Sequence, residues 1–240
     1  MFLKIKKIFN FIFCFNIKIY LSFFKHLIVP SYEHKKMITK ITNIKTIVDV
    51  GANVGQFSLL LFNRFPTAKF FLFEPLKQEY LILKKIFKRN NNFIIKNIAL
   101  GKKRGFIKVN ILKRRDSSSI LRPTITNKNI FNDNYIIGNL IVKIARLKDC
   151  INKIKKPSLL KIDVQGYELE VLKGTNLNQF SYIYLEGSDI ELYKKQVTIK
   201  DIETFLSYKF IKINEFNIQY NNKNQKIHSD ILFKNINFQQ

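Results

Sequence analysis

The pattern of apolar and polar positions changes character once the first 45 residues are passed. From Thr46 onward, short β-branched runs alternate with longer amphipathic stretches, which is the pattern of βαβ units. Thr46–Val50 reads as a buried strand, and a helix follows from about Gly55 to Phe65, stopped by Pro66. Lys69–Phe73 is a second strand ending at Glu74-Pro75. Leu76–Arg89 is a second helix, ended by the Asn90-Asn91-Asn92 run, and Phe93–Ala99 is a third strand closed by Gly101. Ser158–Ile162 and Ser181–Leu185 are further buried strands, a helix opens at Gly166 and runs to Leu172, stopping at Gly174, and another spans Ile199–Ser207. Lys209–Ile213 and Asp230–Lys234 make a closing hairpin across a polar loop. In the middle of the chain, Phe106–Leu112 and Leu140–Ile144 pair as strands around a polar insertion, Lys113–Asn139, which carries Arg114, Arg115 and Arg122.

Residues 1–45 form an extension, and residues 46–240 form one domain. Met1–Pro30 is rich in Phe and Ile, with Lys4, Lys6, Lys7, Lys18 and Lys25 interspersed. Its longest uncharged stretch before Lys18, Ile8–Ile17, holds Asn10 and Asn16 and falls short of the roughly 20 apolar residues that span a bilayer. A basic start and a short apolar run suit a signal peptide, but no small-x-small cleavage site follows. Two readings remain: a basic, aromatic helix lying on a membrane surface, or a helix packed on the domain that follows or used for self-association, which we prefer.

Composition alters this picture little. The 42 Lys and Arg against 17 Asp and Glu leave a net charge of +25, which fits a polyanionic partner such as nucleic acid or an anionic membrane. Yet Lys, Asn, Ile and Phe crowd strands and loops alike and Trp is absent, the signature of AT-rich coding; the lysines are spread along the chain and not clustered. Cys14 and Cys150 are far apart and His26, His34 and His228 are scattered, so neither a disulfide framework nor a metal site is expected. The expected setting is cytoplasmic, and a peripheral membrane contact, on the first of those two readings, would run through residues 1–30.

Candidate chemistry gathers in three places. Asp49-Val50-Gly51-Ala52-Asn53-Val54-Gly55 closes the first strand, where glycines permit a tight turn and close approach to a ligand. A dinucleotide loop would carry a middle glycine to make room for pyrophosphate; Asn53 stands there instead. Glu74, at the end of the second strand, is placed to accept both hydroxyls of a ribose, or else is a surface acid before a proline. Asp163 ends the Ser158–Ile162 strand, Gly166 allows a sharp turn, Glu168 follows in the first helical turn, and Glu186 ends the next strand at the same edge. Such carboxylates serve as a general base or hold a hard cation, or else cap helices, which suits Glu168.

With these strings in place the chain resembles the FkbM family of methyltransferases. The resemblance rests on VDVGANVGQFSLLL at 48–61, FEP at 73–75 and LLKIDVQGYELEVLKG at 159–174, supported by YLEGSDIELY at 184–193 and SDILFKN at 229–235. It implies an α/β, Rossmann-like class I fold: a seven-stranded, mostly parallel sheet with helices on both faces and an antiparallel last strand. It also implies S-adenosylmethionine as cofactor. Asp49, Gly51, Asn53 and Gly55 would then line the methionine and ribose side, Glu74 would grip the ribose, Ala99 would sit by the adenine, and Asp163 would lie beside the transferred methyl. Members similar to this chain methylate hydroxyls on sugars, glycans or other small metabolites.

On that reading Asp163 is the first candidate for the base and Glu186 the second, none of the histidines is expected to act, and the three arginines of the insertion are available to a phosphate or carboxylate. The rival readings are an RNA methyltransferase, which the charge favours, and a non-catalytic basic module on a methyltransferase-like fold. Nucleic acid is not the expected partner. An NAD-dependent oxidoreductase ranks last, because its glycine spacing is missing.

Overall fold

A computed structural model describes residues 28–131, 134–221 and 224–239. Its centre is a seven-stranded sheet in the order β3-β2-β1-β7-β8-β10-β9. The strands are β1 (Thr46–Val50), β2 (Lys69–Phe73), β3 (Phe93–Lys96), β7 (Ser158–Ile162), β8 (Tyr182–Ser188), β9 (Phe210–Tyr220) and β10 (Lys226–Asn235). Neighbours from β3 to β8 are parallel, whereas β10 runs antiparallel to both β8 and β9. All five residues of β1 and of β7 are buried, as strands covered on both faces require.

Successive side chains of β1 enter opposite cores. Ile47 packs with Leu59, Leu60, Leu61, Leu83 and Phe87, from the helices α2 (Gln56–Arg64) and α3 (Lys77–Phe87). Val48 and Val50 pack with Leu147, Val171, Leu172, Ile202 and Leu206, from α5 (Leu147–Cys150), α6 (Glu168–Lys173) and α7 (Ile199–Leu206). The period of two along a strand thus becomes a three-layer molecule. Ahead of β1, Met37 and Ile38 of a short helix α1 (Lys35–Ile38), with Ile41 and Ile44, bury themselves in the α2/α3 core. Residues 1–27, on which the membrane and packing readings of the amino-terminal segment turn, lie outside the described residues. Among the described residues no helix is long and apolar enough to cross a membrane.

The expected third strand proves to be two. Asn97 Nδ2 donates to the carbonyls of Glu74 and Pro75, each at 2.9 Å, which turns the chain out of the sheet after β3. Ala99–Leu100 (β4) then joins a second, three-stranded sheet with β6 (Ile136–Ala145) and β5 (Gly105–Leu112). The expected pairing around the insertion is present, with Phe106 opposite Lys143 and Leu112 opposite Ile136. The insertion itself is shorter than Lys113–Asn139, since β6 begins at Ile136; it holds a 3-10 turn at Arg115–Ser117 and a helix α4 (Ile125–Ile130). The closing hairpin is longer than expected, running from Phe210 to Asn235 with register shifts in β10.

Candidate active site

Strand order reverses between β1 and β7: the chain runs outward through β2 and β3, then returns to the other side of β1. A crevice must open at the carboxyl ends of those strands. The cleft there has a volume of ≈ 820 Å³ and takes in the glycine loop, Glu74, Ala99, Asp163 and Glu186 together.

Glu74 forms one wall. Its Oε2 accepts from the Asn53 backbone N–H and its Oε1 from that of Leu76, each at 2.8 Å, which leaves a further lone pair on each oxygen. Burial pushes its pKa up to about 7, and the two backbone donors and Lys161 only partly pull it back. Asn53 adopts a left-handed φ of 47°, which aims its N–H at the carboxylate. Beyond Glu74 the wall becomes apolar, with Leu76, Ile98, Ala99, Leu100 and Val109.

The glycines also serve the packing of the chain itself, and Gly51 lines the cleft. Gly51 has φ +76°, and a Cβ there would stand 1.8 Å from the Asp163 carbonyl oxygen, so it is needed for β1 and β7 to end side by side. Gly55, the left-handed N-cap of α2, would drive a Cβ to within 2.8 Å of Leu83, and it does not line the cleft. Nor does Asp49. It is fully buried beneath the loop, where Oδ2 accepts from Ser58 Oγ at 2.7 Å and Oδ1 faces Lys161 Nζ at 3.2 Å.

Lys161, which the sequence reading passed over, is central. Its ammonium donates to the Gly51 carbonyl at 2.9 Å, and lies 3.2 Å from Asp49 and 3.5 Å from Asp163. Burial works against that charge, yet Asp49 and Asp163 outweigh it and hold the pKa above the usual lysine range. One buried cation therefore fixes the loop and the base of Asp163. The signal in the sequence was a lysine inside an otherwise apolar strand, Leu159-Leu160-Lys161-Ile162.

Asp163 and Glu186 are brought together by Gln165. Its Nε2 donates to Asp163 Oδ1 and to Glu186 Oε2, each at 2.8 Å, and its Oε1 lies 2.9 Å from Tyr193 Oη. Part of the insertion buttresses this clamp: Ser119 Oγ donates to the Gln165 carbonyl at 2.6 Å, and Tyr193 Oη lies 2.9 Å from the Ser117 carbonyl. Burial raises the pKa of Glu186 in spite of His228 beside it. Glu168 points away from this pair; its Oε1 accepts from Val164 and Gly166 N–H at 3.1 Å, closing the turn, and burial pushes it up to about 8.

Two expectations are corrected here. His34 and His228 are not remote from the site. Antiparallel pairing sets Asp230 opposite Glu186 and His228 opposite Ser188, which brings His228 Nδ1 to 2.7 Å from Glu186 Oε1. His34, ahead of β1, places Nδ1 2.8 Å from Tyr184 Oη and 3.3 Å from Asp230. Contacts between residues 150 positions apart are invisible to spacing within motifs. Second, Arg115 is not free for an acceptor: its guanidinium grips Glu79 of α3 at 2.6 and 2.9 Å. Arg122 does not line the cleft, while Arg114 does, with its guanidinium over the Phe131 ring. Among the described residues no group of three or more His, Cys, Asp or Glu side chains is placed to hold a metal ion.

The family model described as "Methyltransferase FkbM domain" matches residues 49–217. The chain belongs to the FkbM methyltransferase family. Its cofactor is therefore S-adenosylmethionine, and the residues present fit that molecule: an apolar wall for the adenine, a buried carboxylate with two spare lone pairs for the ribose diol, and a bare main-chain bend beside it. Methyltransferase sdnD of Sordaria araneosa is 28% identical over 170 residues, 60% of this chain and 65% of its own length. Methyltransferase 1 of Beauveria bassiana is 23% identical over 177 residues, 68% of this chain and 70% of its own. The matches thus span about two thirds of these relatives. A putative tRNA (m1A22) methyltransferase of Streptococcus pneumoniae, solved with S-adenosyl-L-methionine, superposes with a TM-score of 0.49 at 11% identity, covering 88% of this chain and 76% of its own. TrmK of M. capricolum, solved with S-adenosyl-homocysteine, gives 0.47 at 10%, covering 88% and 70%. Likenesses this distant carry no argument about substrate.

Proposed function

We propose that this FkbM-family protein transfers a methyl group from S-adenosylmethionine to a hydroxyl of a sugar, a glycan or another small metabolite. When bound, the cofactor supplies a methyl group already activated on a sulfonium centre. What remains for the protein is alignment and care of the hydroxyl proton. Glu74 holds the ribose. Asp163 and Glu186, fixed at one separation by Gln165, accept hydrogen bonds from the acceptor hydroxyl and orient it, and Lys161, 3.5 Å from Asp163, helps hold that carboxylate in place.

The observation that carries this reading is the clamped pair of carboxylates beside the Glu74 wall. Its surroundings bear on the acceptor. Eight acidic and three basic side chains line the cleft, although the whole chain carries 42 basic residues against 17 acidic ones. All three of those bases are already engaged: Arg115 by Glu79, Lys161 by Asp49 and Asp163, and Arg114 by Asp116. A polyanion would meet repulsion there, which favours a neutral, hydroxyl-rich acceptor over RNA. The test is incubation of the purified protein with methyl-labelled S-adenosylmethionine and fractionated cell extract. A labelled small-molecule or glycan product supports the reading, and label confined to RNA contradicts it.

A further inference from the structure

We infer that the proton of the acceptor hydroxyl is taken by His228, oriented by Glu186, and that Asp163 holds the acceptor without acting as its base. The inference rests on the methyl-transfer reading above. Of the groups at the acceptor end, each carboxylate oxygen has one neighbour, Gln165 and Lys161 on Asp163 and Gln165 and His228 on Glu186, and keeps a lone pair with which to orient the hydroxyl. His228 differs. Its Nδ1 is 2.7 Å from Glu186 Oε1, so the ring carries its hydrogen on Nδ1, and Nε2 is left as a bare nitrogen. Among the described residues that Nε2 is buried and has no hydrogen-bond partner, while the ring forms part of the cleft wall that also holds Asp163. A buried nitrogen without a partner costs stability, and an acceptor hydroxyl donating to it removes that cost.

The groups facing the ring come from four sides. Glu186 of β8 and Asp163 of β7 lie on one side, Asp230 follows on the same strand, Gln219 of β9 is its register partner, and Phe131 stands edge-on with ring centroids 6.1 Å apart, beneath Arg114. Burial lowers the imidazole pKa, but Glu186, Asp230 and Asp163 outweigh it and raise it above the usual value. The step balances simply. The hydroxyl oxygen forms a bond to the methyl carbon, the carbon–sulfur bond breaks with its electrons left on a neutral thioether, and the hydroxyl proton passes to Nε2. The products are a methyl ether, S-adenosylhomocysteine and imidazolium, which then loses its proton to water.

The deciding experiment pairs two substitutions with a spectroscopic readout. His228→Asn retains a donor where Nδ1 stood and so keeps the contact to Glu186, but lacks the second nitrogen; His228→Gln is the reverse. Expected is a fall of ~10²-fold or more in label transfer to the extract acceptor for His228→Asn, with S-adenosylhomocysteine binding unchanged in calorimetry. Long-range nitrogen–proton correlation on histidine-labelled protein should show the Nδ1–H form, titrating at lower pH in Glu186→Gln. Near-normal transfer by His228→Asn, or an Nε2–H tautomer, overturns the base assignment alone. A wild-type protein that labels nothing in the extract overturns the transferase reading, and the base with it.

Discussion

Glu74 and Glu168 are both carboxylates pushed up by burial, and their consequences differ. Two ribose hydroxyls are accepted more strongly by ionised Glu74, whose pKa is about 7, than by its acid form, so the affinity for S-adenosylhomocysteine should weaken as the pH falls from about 8 to about 6, with proton release on binding. Calorimetry in two buffers of different ionisation heat measures both effects, and an affinity flat across that range would contradict the role of Glu74. Glu168 has a folded pKa of about 8, above its unfolded value, so its contribution to stability is complete below the ordinary carboxylate range and is lost as the pH rises through about 8. Its Oε1 alone receives both backbone donors, and the amide oxygen of Glu168→Gln can do the same. Glu168→Gln is expected to stabilise the protein by ~1–3 kcal/mol near pH 9 and to have little effect near pH 5, read from thermal unfolding. Equal melting temperatures for the two proteins at both pH values would refute this. At this scale the positions of Glu74 and Asp163 were legible because each directly follows a strand that its apolar run makes recognisable, and Glu186 because it lies near the end of another, whereas Ala99 followed only from the family resemblance. Lys161, Gln165, Tyr193 and His228 did not show, because their roles arise from contacts across strands distant in the chain.

Local punctuation made most elements legible: Pro66 after the first helix, the Asn90–Asn92 run after the second, Gly174 after α6. What failed was the third strand. Nothing in Phe93–Ala99 marks the point where Asn97 bonds back to the 74–75 turn, so one apolar run was read as one strand although it serves two sheets. The Gly51 bend makes a direct prediction. With φ +76° and a Cβ 1.8 Å from the Asp163 carbonyl, Gly51→Ala must push β1 and β7 apart. It should lower the melting temperature by several degrees or more and abolish cofactor binding; a stable variant with normal binding would exclude this packing. The Arg115–Glu79 pair staples the insertion to α3, and Glu79 is buried. Arg115→Ala leaves that carboxylate without its partner, and a loss of ~2–4 kcal/mol in denaturant unfolding is expected, whereas a loss under ~0.5 kcal/mol would show the pair to be incidental.

Over the whole molecule the two charge patterns oppose one another: a strongly basic chain surrounds an acid-rich cleft. Net charge alone pointed toward nucleic acid, while the lining points away from it, and only the folded chain separates the two. Single-stranded RNA should therefore bind, if at all, with steep salt dependence and without displacing S-adenosylhomocysteine; competition between them at about 0.15 M salt would contradict this. The most direct measurement of the central claim is calorimetric titration of the purified protein with S-adenosylhomocysteine, beside Glu74→Ala. The account predicts saturable binding at one site, weakened by ~10²-fold or more in the variant through loss of two charge-assisted hydrogen bonds. No binding by the wild type, or equal affinity in both proteins, would contradict it.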